Sequence, residues 1–170
     1  MTHPAKDSHC SSCGAPYPAG THGWPRTCAR CGEIAYCGPL PVAVALLPVA
    51  DRQGTGLVVI TRTIEPQYGG VALPGGFIDH AEDWREAVVR ELREETGIEA
   101  AAHDVRPADV MSSTVHLLLF GLLPERRAAD LPEPVPTAET TGWRVLRAPE
   151  ELAFPLHTQA VRAWFAGRYR

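Results

Sequence analysis

The sequence predicts an α/β fold in which a mixed β-sheet is sandwiched between helices, preceded by a small cysteine-rich unit. Apolar β-branched runs, an amphipathic segment, further apolar runs and a last amphipathic segment follow one another after residue 39. This order is typical of a mixed sheet covered by helices. Residues 1–38 instead combine Cys, Gly, Pro and His without hydrophobic periodicity. We therefore expect a small unit at residues 1–38 and the main domain at residues 39–170.

The composition is that of a globular chain. Its 170 residues are 45% hydrophobic and 21% charged, which suits one well-buried core. The formal net charge of −4 provides no overall positive field for phosphates, so the composition disfavours a nucleic-acid partner. The N-terminus lacks an apolar signal segment, and the longest apolar run, "PVAVALLPVA", is too short to cross a bilayer. The expectation is a cytoplasmic protein with no membrane partner.

Four of the five cysteines form two Cys-x2-Cys pairs, Cys10 with Cys13 and Cys28 with Cys31. In a reducing compartment, this pattern is typical of tetrahedral thiolate ligation of a structural Zn²⁺. A glycine follows each pair and suits the tight turn of a zinc knuckle, because glycine reaches positive φ. We predict a zinc ribbon, with disulfides or scattered buried cysteines as the alternative. The remaining Cys37 is expected to be a small buried residue.

The main domain begins with β-strands. "VAVALLPVA" and "GLVVITRTI" flank the turn-like "DRQGTG", which predicts a strand pair. "VALPGGF" predicts a short strand that ends in a Pro-Gly-Gly turn. "DVMSSTVHLLLFGLL" is long and apolar enough for one central strand, in which His116 is expected to pack. The polar, Pro-rich "PERRAADLPEPVPTAETTG" predicts a surface loop, and "WRVL" predicts another strand.

Two segments predict helices. The first begins after Asp83, an N-cap followed three residues later by Glu86 as in a capping box. It ends at Gly97, where glycine accepts the left-handed conformation. On a helical wheel its inward stripe contains Ala87, Val88 and Leu92. The C-terminal "FPLHTQAVRAWFAGRY" carries apolar residues at helical spacing and predicts a helix packed on the sheet.

Three glutamates lie on the inward face of the first helix, where apolar residues are expected. Glu91, Glu94 and Glu95 are three and four positions apart, so they project from one side of the helix. With Trp84 at the zero of the wheel, Glu91 and Glu95 lie about 20° on either side of it. A helix that carries charge only for solubility would place it opposite the apolar stripe. The pattern therefore indicates that the interior offers something that attracts negative charge.

The spacing around this helix resembles the signature of the Nudix hydrolase family. Five residues separate Gly76 from Glu82, seven separate Glu82 from Arg90, and "RELREETGI" begins at Arg90. The "LPGGF" segment and the four-cysteine unit are similar to the zinc-containing NADH pyrophosphatase branch of that family. The resemblance implies a Nudix-type α/β/α sandwich. It also implies an enzyme in which water attacks phosphorus in a nucleoside diphosphate linked to another moiety.

The resemblance implies metal ligands as well. Glu91, Glu94 and Glu95 would bind Mg²⁺ or Mn²⁺, and the carbonyl of Gly76 would add a ligand. Divalent cations fit this arrangement because diphosphate and a carboxylate cluster are both negative and coexist only with cations between them.

Catalytic roles follow from the same resemblance. Glu82 would steady the loop and the helix, and Arg90 would orient a glutamate by ion pairing. The general base stays open between Glu91, Glu94 and Glu139, the last of which lies on the loop before "WRVL".

The substrate stays open within one class. Members of the family that prefer NADH carry a "SQPWPFP"-like stretch after the glutamates, whereas this chain reads "DVMSSTVHLLLF" there. A small-molecule nucleotide pyrophosphate such as ADP-ribose, NAD(H) or FAD is expected. The aromatic residues considered for adenine stacking, each expected to pack in the core instead, are Tyr68, Phe77, Trp143 and Trp164.

Two further alternatives concern the whole protein and the ribbon. A non-enzymatic protein that senses a nucleotide or binds a partner is the alternative to an enzyme, although such proteins often lose the residues that this chain keeps. The ribbon is expected to be structural, stabilising the N-terminal arm or a homodimer contact. Docking of a capped RNA end or of a protein partner is the alternative role.

Overall fold

The computed structural model describes residues 5–169. Residues 1–4 of the predicted N-terminal unit and residue 170 lie outside it. The chain divides into two units between Pro39 and Leu40. Within the described part, no helix is long and apolar enough to cross a membrane.

The N-terminal unit is built on two similar turns and a short sheet. Each Cys-x2-Cys pair turns back through the glycine that follows it: the N–H of Gly14 donates to the carbonyl of Cys10, and that of Gly32 to Cys28, both at 2.9 Å. The φ angles of Gly14 and Gly32 are +70° and +76°, so the predicted glycine turns are confirmed. The antiparallel strands are β1 (Arg26–Thr27) and β2 (Ile34–Ala35).

Two sheets and two helices form the second unit. Its elements in chain order are β3 (Leu40–Leu46), β4 (Pro48–Asp51), β5 (Gly54–Arg62), β6 (Val71–Ala72), β7 (Gly75–Phe77), α1 (Trp84–Thr96), β8 (Arg106–Ser112), β9 (His116–Leu122), β10 (Arg126–Arg127), β11 (Thr140–Leu146) and α2 (Pro155–Phe165). One sheet has the order β7-β3-β9-β8, with β3 and β9 parallel. The other has the order β10-β4-β5-β11, with β6 paired to β5. The predicted mixed α/β architecture is confirmed.

Alternate residues of β3 belong to two hydrophobic cores. Ala43 and Ala45 pack in one core with the inward residues of α1, whereas Val44 and Leu46 pack in the other with those of α2. Burial of a Val or Leu side chain stabilises a fold by about 1.5–3 kcal/mol. The fully buried apolar residues of the helices are Ala87, Val88 and Leu92 of α1, and Ala160 and Val161 of α2.

The predicted limits of the first helix are confirmed at both ends of α1. The Asp83 carboxylate accepts a hydrogen bond of 2.8 Å from the N–H of Arg85, which satisfies a free donor of the first turn. Gly97 adopts φ +73° and donates its N–H to the carbonyl of Arg93 at 2.7 Å. This is the left-handed glycine cap that closes many helices.

Two strand predictions are wrong in extent. "VAVALLPVA" divides at Leu47 into β3 and β4, which lie in different sheets, and only β4 pairs with β5. Pro48 has no N–H to continue a ladder, so the chain passes from one sheet to the other there. The long run from 109 to 123 is a hairpin of β8 and β9. The Ser113 hydroxyl accepts the N–H groups of Val115 and His116 and closes the turn.

Cys37 is exposed, so the expectation of a buried residue is wrong. It follows Tyr36, which is 77% exposed, in the irregular segment after β2. Short chain segments without a core have few buried positions to offer a small apolar side chain.

A buried histidine joins α2 to the sheets. His157 is 5% exposed, and its Nδ1 accepts the N–H of Leu73 at 3.2 Å. Its ring lies edge-on to Phe154 and Phe120, with centroids 5.1 and 6.1 Å away. Burial, with a smaller effect from the charge of Arg62, lowers the pKa of His157 to about 3. The folded protein therefore holds this ring neutral.

We predict that His157 makes stability depend on pH between 7 and 5. An unfolded histidine takes up a proton below its ordinary pKa of about 6.5, and the folded state does not, so the free energy of unfolding falls as pH falls. Relative to His157→Asn, which keeps an acceptor for Leu73, the parent should lose about 2 kcal/mol between pH 7 and pH 5. Urea unfolding of both proteins at the two pH values measures this difference.

The control is His103→Asn, since the His103 side chain is 84% exposed. This variant should follow the parent at both pH values. A parent and a His157→Asn protein that differ by the same free energy at pH 7 and pH 5 would contradict the assignment of a neutral buried ring.

Candidate functional site

A buried glutamate anchors the candidate site. Glu95, in the last turn of α1, is 3% exposed. Its Oε2 accepts the N–H of Gly75 at 2.9 Å, and its backbone carbonyl accepts the hydroxyl of Thr140 at 2.9 Å. Burial raises the pKa of the Glu95 carboxyl to about 8, although the Gly75 N–H opposes this. A carboxylate that stays charged at this position at neutral pH therefore needs a cation beside it.

Glu91 lies one turn earlier on the same inward face. Its side chain is 12% exposed, and burial raises its pKa while the neighbouring Arg90 guanidinium lowers it. A Cβ on Gly76 would lie 2.4 Å from Oε1 of Glu91. A side chain at position 76 would therefore have to displace the Glu91 carboxylate, which lies against β7 here.

Glu94 lies at the rim of the site, with its side chain 51% exposed. Its carboxylate is 3.3 Å from Nη1 of Arg90 and 3.8 Å from Nη2 of Arg93. The separation of Glu94 from the other two glutamates is therefore one of exposure, since all three lie on one side of α1.

Arg90 binds the loop before α1 to the helix. Its Nε and Nη2 donate to the two oxygens of Glu82 at 2.7 and 2.9 Å. The same guanidinium donates to Oε1 of Glu91 at 2.7 Å and to the carbonyl of Phe77 at 3.0 Å. The hydrogen bonds from Arg90 hold the pKa of Glu82 at about 2, well below its usual value. The arginine therefore fixes both the loop and the Glu91 carboxylate.

Glu139 lies in the loop that enters the other sheet. It lies directly before β11, and its carbonyl accepts the N–H of Thr63 at 2.8 Å. The charge of Glu139 contributes to raising the pKa values of Glu91 and Glu95. Its carboxylate is therefore within electrostatic range of both, on a loop that is far from them in sequence.

Sequence reasoning missed two residues at the site. Thr140 lies at a bulge in β11 and is fully buried. Arg62, at the end of β5, lowers the pKa of Glu95, and its guanidinium stacks over Phe154 at 5.3 Å. Within residues 5–169, Arg62 forms no ion pair with a carboxylate. Neither residue belongs to a local motif, since both come near α1 only through sheet pairing.

The aromatic expectations are correct for two residues and wrong for two. Trp143 is 9% exposed, and Trp164 packs edge-on against Phe165 with ring centroids 4.8 Å apart. Tyr68 and Phe77 are instead 69% and 54% exposed. Phe77 ends the edge strand β7, where its ring lies 5.8 Å from that of His116 without being covered, and Tyr68 lies in the loop after β5.

The four paired cysteines converge as the ligands of one metal ion do. Sγ of Cys10 and Cys31 are 3.7 Å apart, those of Cys13 and Cys28 are 3.6 Å apart, and all four lie within 4.8 Å. Tetrahedral ligation with zinc–sulfur distances of about 2.3 Å places sulfurs about 3.8 Å apart. All five cysteines are free, so the disulfide alternative is wrong. Backbone N–H groups of Cys31 and Arg30 lower the pKa of the Cys28 thiol to about 6, which favours the thiolate.

Comparison with protein families gives a match to most of the chain. The family model described as NUDIX domain matches residues 39–166. The ADP-ribose pyrophosphatase of Methanocaldococcus jannaschii is 50% identical over 56 residues, which are 33% of this chain and 32% of that protein. The NAD-capped RNA hydrolase NudC of Pseudomonas aeruginosa is 30% identical over 92 residues, 54% of this chain and 31% of that protein. The matches span about a third of the length of these curated relatives.

A solved structure resembles the chain over most of its length. The NUDIX hydrolase from Nitrosomonas europaea covers 95% of this chain and 92% of its own, with a TM-score of 0.68 and 21% sequence identity. Identity at that level relates the two proteins by fold.

We predict that Arg90→Lys destabilises the second unit. Lysine keeps the charge but loses the planar fork on Glu82 and the bond to the Phe77 carbonyl. The free energy of unfolding should fall by about 1–3 kcal/mol. Arg93→Lys is the matched control, because Arg93 is 51% exposed and approaches Glu94 at 3.8 Å only. It should change stability by less than about 0.5 kcal/mol. Equal losses in the two variants, measured by urea unfolding, would contradict the structural role of the fork.

Proposed function

Because this chain belongs to the Nudix family, we propose that it is a hydrolase that cleaves the pyrophosphate bond of a nucleoside diphosphate linked to another moiety. Hydrolysis in this proposal depends on Mg²⁺ or Mn²⁺. The observation that carries it is the burial of Glu95 and Glu91 on the inward face of α1, against the Gly75-Gly76 segment. Burying carboxylates there costs stability, and destabilising charged groups of this kind are typical of functional sites.

The residues at the site fit a hard divalent cation. Glu91, Glu94 and Glu95 offer carboxylate oxygens, and Gly76 offers a carbonyl, the ligand types that Mg²⁺ and Mn²⁺ prefer. Bound there, such cations supply charge neutralisation and polarise phosphoryl oxygens.

The other residues orient this carboxylate set. Arg90 holds Glu91 in place while bound to Glu82, and Glu82 ties the preceding loop to the helix. The general base is a choice between Glu91, Glu94 and Glu139. We favour Glu139, because Arg90 already engages Glu91 at 2.7 Å and Glu94 at 3.3 Å. In this proposal the Glu139 carboxylate accepts a proton from the attacking water.

The substrate class that we propose is ADP-ribose, NAD(H) or an FAD-like dinucleotide. The names of the two curated relatives point to the same chemistry, since one refers to ADP-ribose and the other to NAD-capped RNA. Of the four aromatic residues considered for adenine stacking, the exposure of Tyr68 and Phe77 leaves these two available.

We predict metal-dependent hydrolysis that yields a nucleoside monophosphate. ADP-ribose, NADH, NAD⁺, FAD, dinucleoside polyphosphates, nucleoside triphosphates and NAD-capped RNA should be compared with Mg²⁺, with Mn²⁺ and with chelator. Glu94→Gln and Glu95→Gln should each reduce turnover by about 10²-fold or more, because a neutral amide of the same size loses charge and keeps its packing. Circular dichroism establishes that each variant is folded.

The outcomes separate the proposal from its rivals. Turnover at the parent rate by either glutamine variant would show that the metal assignment is wrong. Binding of one nucleotide without turnover on any compound would replace the enzyme by a nucleotide sensor. Exclusive turnover of capped RNA would move the substrate class from free dinucleotides to RNA ends.

We also propose that the N-terminal cysteines hold one structural Zn²⁺. The support is the convergence of four thiols at distances that suit a tetrahedral ion. The turns that carry the thiols are closed by their own backbone hydrogen bonds. Removing the metal should unfold the N-terminal unit first, because a short segment without a large core depends on its ion.

We predict about one zinc per chain, released when the thiols are modified. Elemental analysis gives the stoichiometry, and the release can be followed with a colorimetric chelator. Cys13→Ser should lose the zinc, whereas Cys37→Ser, which removes the exposed fifth thiol, should retain it. Zinc-free protein with a protected N-terminal unit in hydrogen exchange would contradict the proposal.

A further inference from the structure

We propose that Thr137 and Thr140, which we call the threonine latch, position the Glu139 carboxylate toward Glu91 and Glu95 and thereby set the rate of hydrolysis. Both threonines are positioning residues that act through Glu139. This inference rests on the proposed function, since it concerns the same site.

The first contact of the latch joins β11 to the metal-binding helix. The Thr140 hydroxyl donates to the backbone carbonyl of Glu95 at 2.9 Å, and Thr140 is fully buried. The same oxygen accepts the N–H of Gly142 at 3.2 Å. Carbonyls in the last turn of a helix have no partner within the helix, so this hydroxyl satisfies a buried acceptor at the residue whose carboxylate lies in the site.

The second contact holds the loop. The Thr137 hydroxyl accepts the N–H groups of Glu139 and Thr140, both at 3.2 Å, and lies 3.3 Å from the Thr140 hydroxyl. The N–H of Thr137 donates to the carbonyl of Thr140 at 2.9 Å. Residues 137–140 are thereby closed into a tight turn, with Glu139 at its outer position.

The third contact fixes the turn to the neighbouring strand. The N–H of Thr63 donates to the carbonyl of Glu139 at 2.8 Å, and Thr140 pairs with Arg62 of β5. The turn is therefore bonded to two different elements, to the end of β5 through its backbone and to α1 through the Thr140 side chain.

The geometry links two acidic residues that are distant in sequence. One end of the latch is bonded to Glu95, and the other carries Glu139, whose charge acts on both Glu95 and Glu91. A displacement of even about 1 Å at a reacting group has large effects on rate, because catalysis depends on near-attack geometry. Removing a hydrogen bond of the latch should therefore lower the rate of the chemical step more than it weakens substrate binding.

We predict that Thr140→Val lowers kcat about 10-fold while KM stays within about 2-fold. Valine has nearly the same shape but donates no hydrogen bond. Thr140→Ser keeps the hydroxyl and should restore kcat to within about 3-fold of the parent. Thr137→Ala, at a half-buried position, removes the acceptor for the Glu139 N–H and should lower kcat in the same direction. It also keeps the test possible if the valine variant does not fold.

A double-mutant cycle tests whether the latch acts through Glu139. Glu139→Gln alone should reduce kcat by about 10²-fold, the size of a lost general base. Adding Thr140→Val to Glu139→Gln should then change kcat by less than about 2-fold, because the group that the latch positions is gone. Multiplicative losses in the double variant would overturn the proposal.

Thr158→Val is the matched control for a purely structural threonine. Thr158 is also buried, and its hydroxyl accepts the N–H of Leu152 at 2.9 Å in the α2 region, away from the glutamates. It should lower the melting temperature and leave kcat within about 2-fold of the parent. An equal fall in kcat for Thr158→Val and Thr140→Val would show that lost stability alone explains the effect, and would overturn the proposal.

The same experiment separates this inference from the proposed function. Loss of activity in Glu94→Gln and Glu95→Gln, combined with parent-like activity in Glu139→Gln, would overturn the latch and leave the hydrolase proposal standing. Parent-like activity in the glutamine variants of α1 would overturn the hydrolase proposal itself.

Discussion

The burial of the Glu95 carboxylate is the constraint around which the rest of the second unit is arranged. A charged group in an apolar interior is costly unless a hydrogen bond or an opposite charge compensates. Here the Gly75 N–H provides one hydrogen bond, but burial still raises the pKa of the carboxyl to about 8. A cation beside Glu95 would offset this cost, and the divalent metal proposed above would be such a cation.

The Arg90–Glu82 pair restricts the motion of the loop before α1. The carboxylates sit where a loop, an edge strand and a helix come together, and such places lose conformational entropy when they are ordered. One guanidinium bonds to Glu82, Glu91 and the Phe77 carbonyl at 2.7–3.0 Å, so a single ordered side chain replaces several separate restraints. The site is therefore held by one guanidinium on the α1 side and by threonine hydroxyls and backbone hydrogen bonds on the Glu139 side.

The sequence predicted what depends on local rules. The caps at Asp83 and Gly97, and the turn glycines Gly14 and Gly32, follow from the chemistry of single positions and agree with the structure. The run from 109 to 123 predicts one strand when its length and apolar content are considered alone, whereas its polar "SST" centre marks a turn between β8 and β9. That centre contains Ser113, whose hydroxyl closes the turn.

The site divides along the same line. Helical spacing alone grouped the inward glutamates, because the helix determines which side chains share a face. Spacing did not give their different exposures, from the buried Glu95 to the half-exposed Glu94, since these depend on what packs against α1. The roles of Thr140 and Arg62 depend on pairing between β11 and β5, residues that are far apart in the chain, and no local pattern marks them.

The alternation along β3 has a consequence for how this protein can change over evolution. Its odd-numbered and even-numbered residues supply different cores, so inserting or deleting one residue would exchange the two sets and turn every downstream side chain of the strand to the wrong helix. Substitutions of similar volume are open to this strand, but changes in its length are not. Residues 132–136, between β10 and the turn that carries Glu139, are exposed and have no alternating core to preserve, so this stretch should tolerate changes in length better.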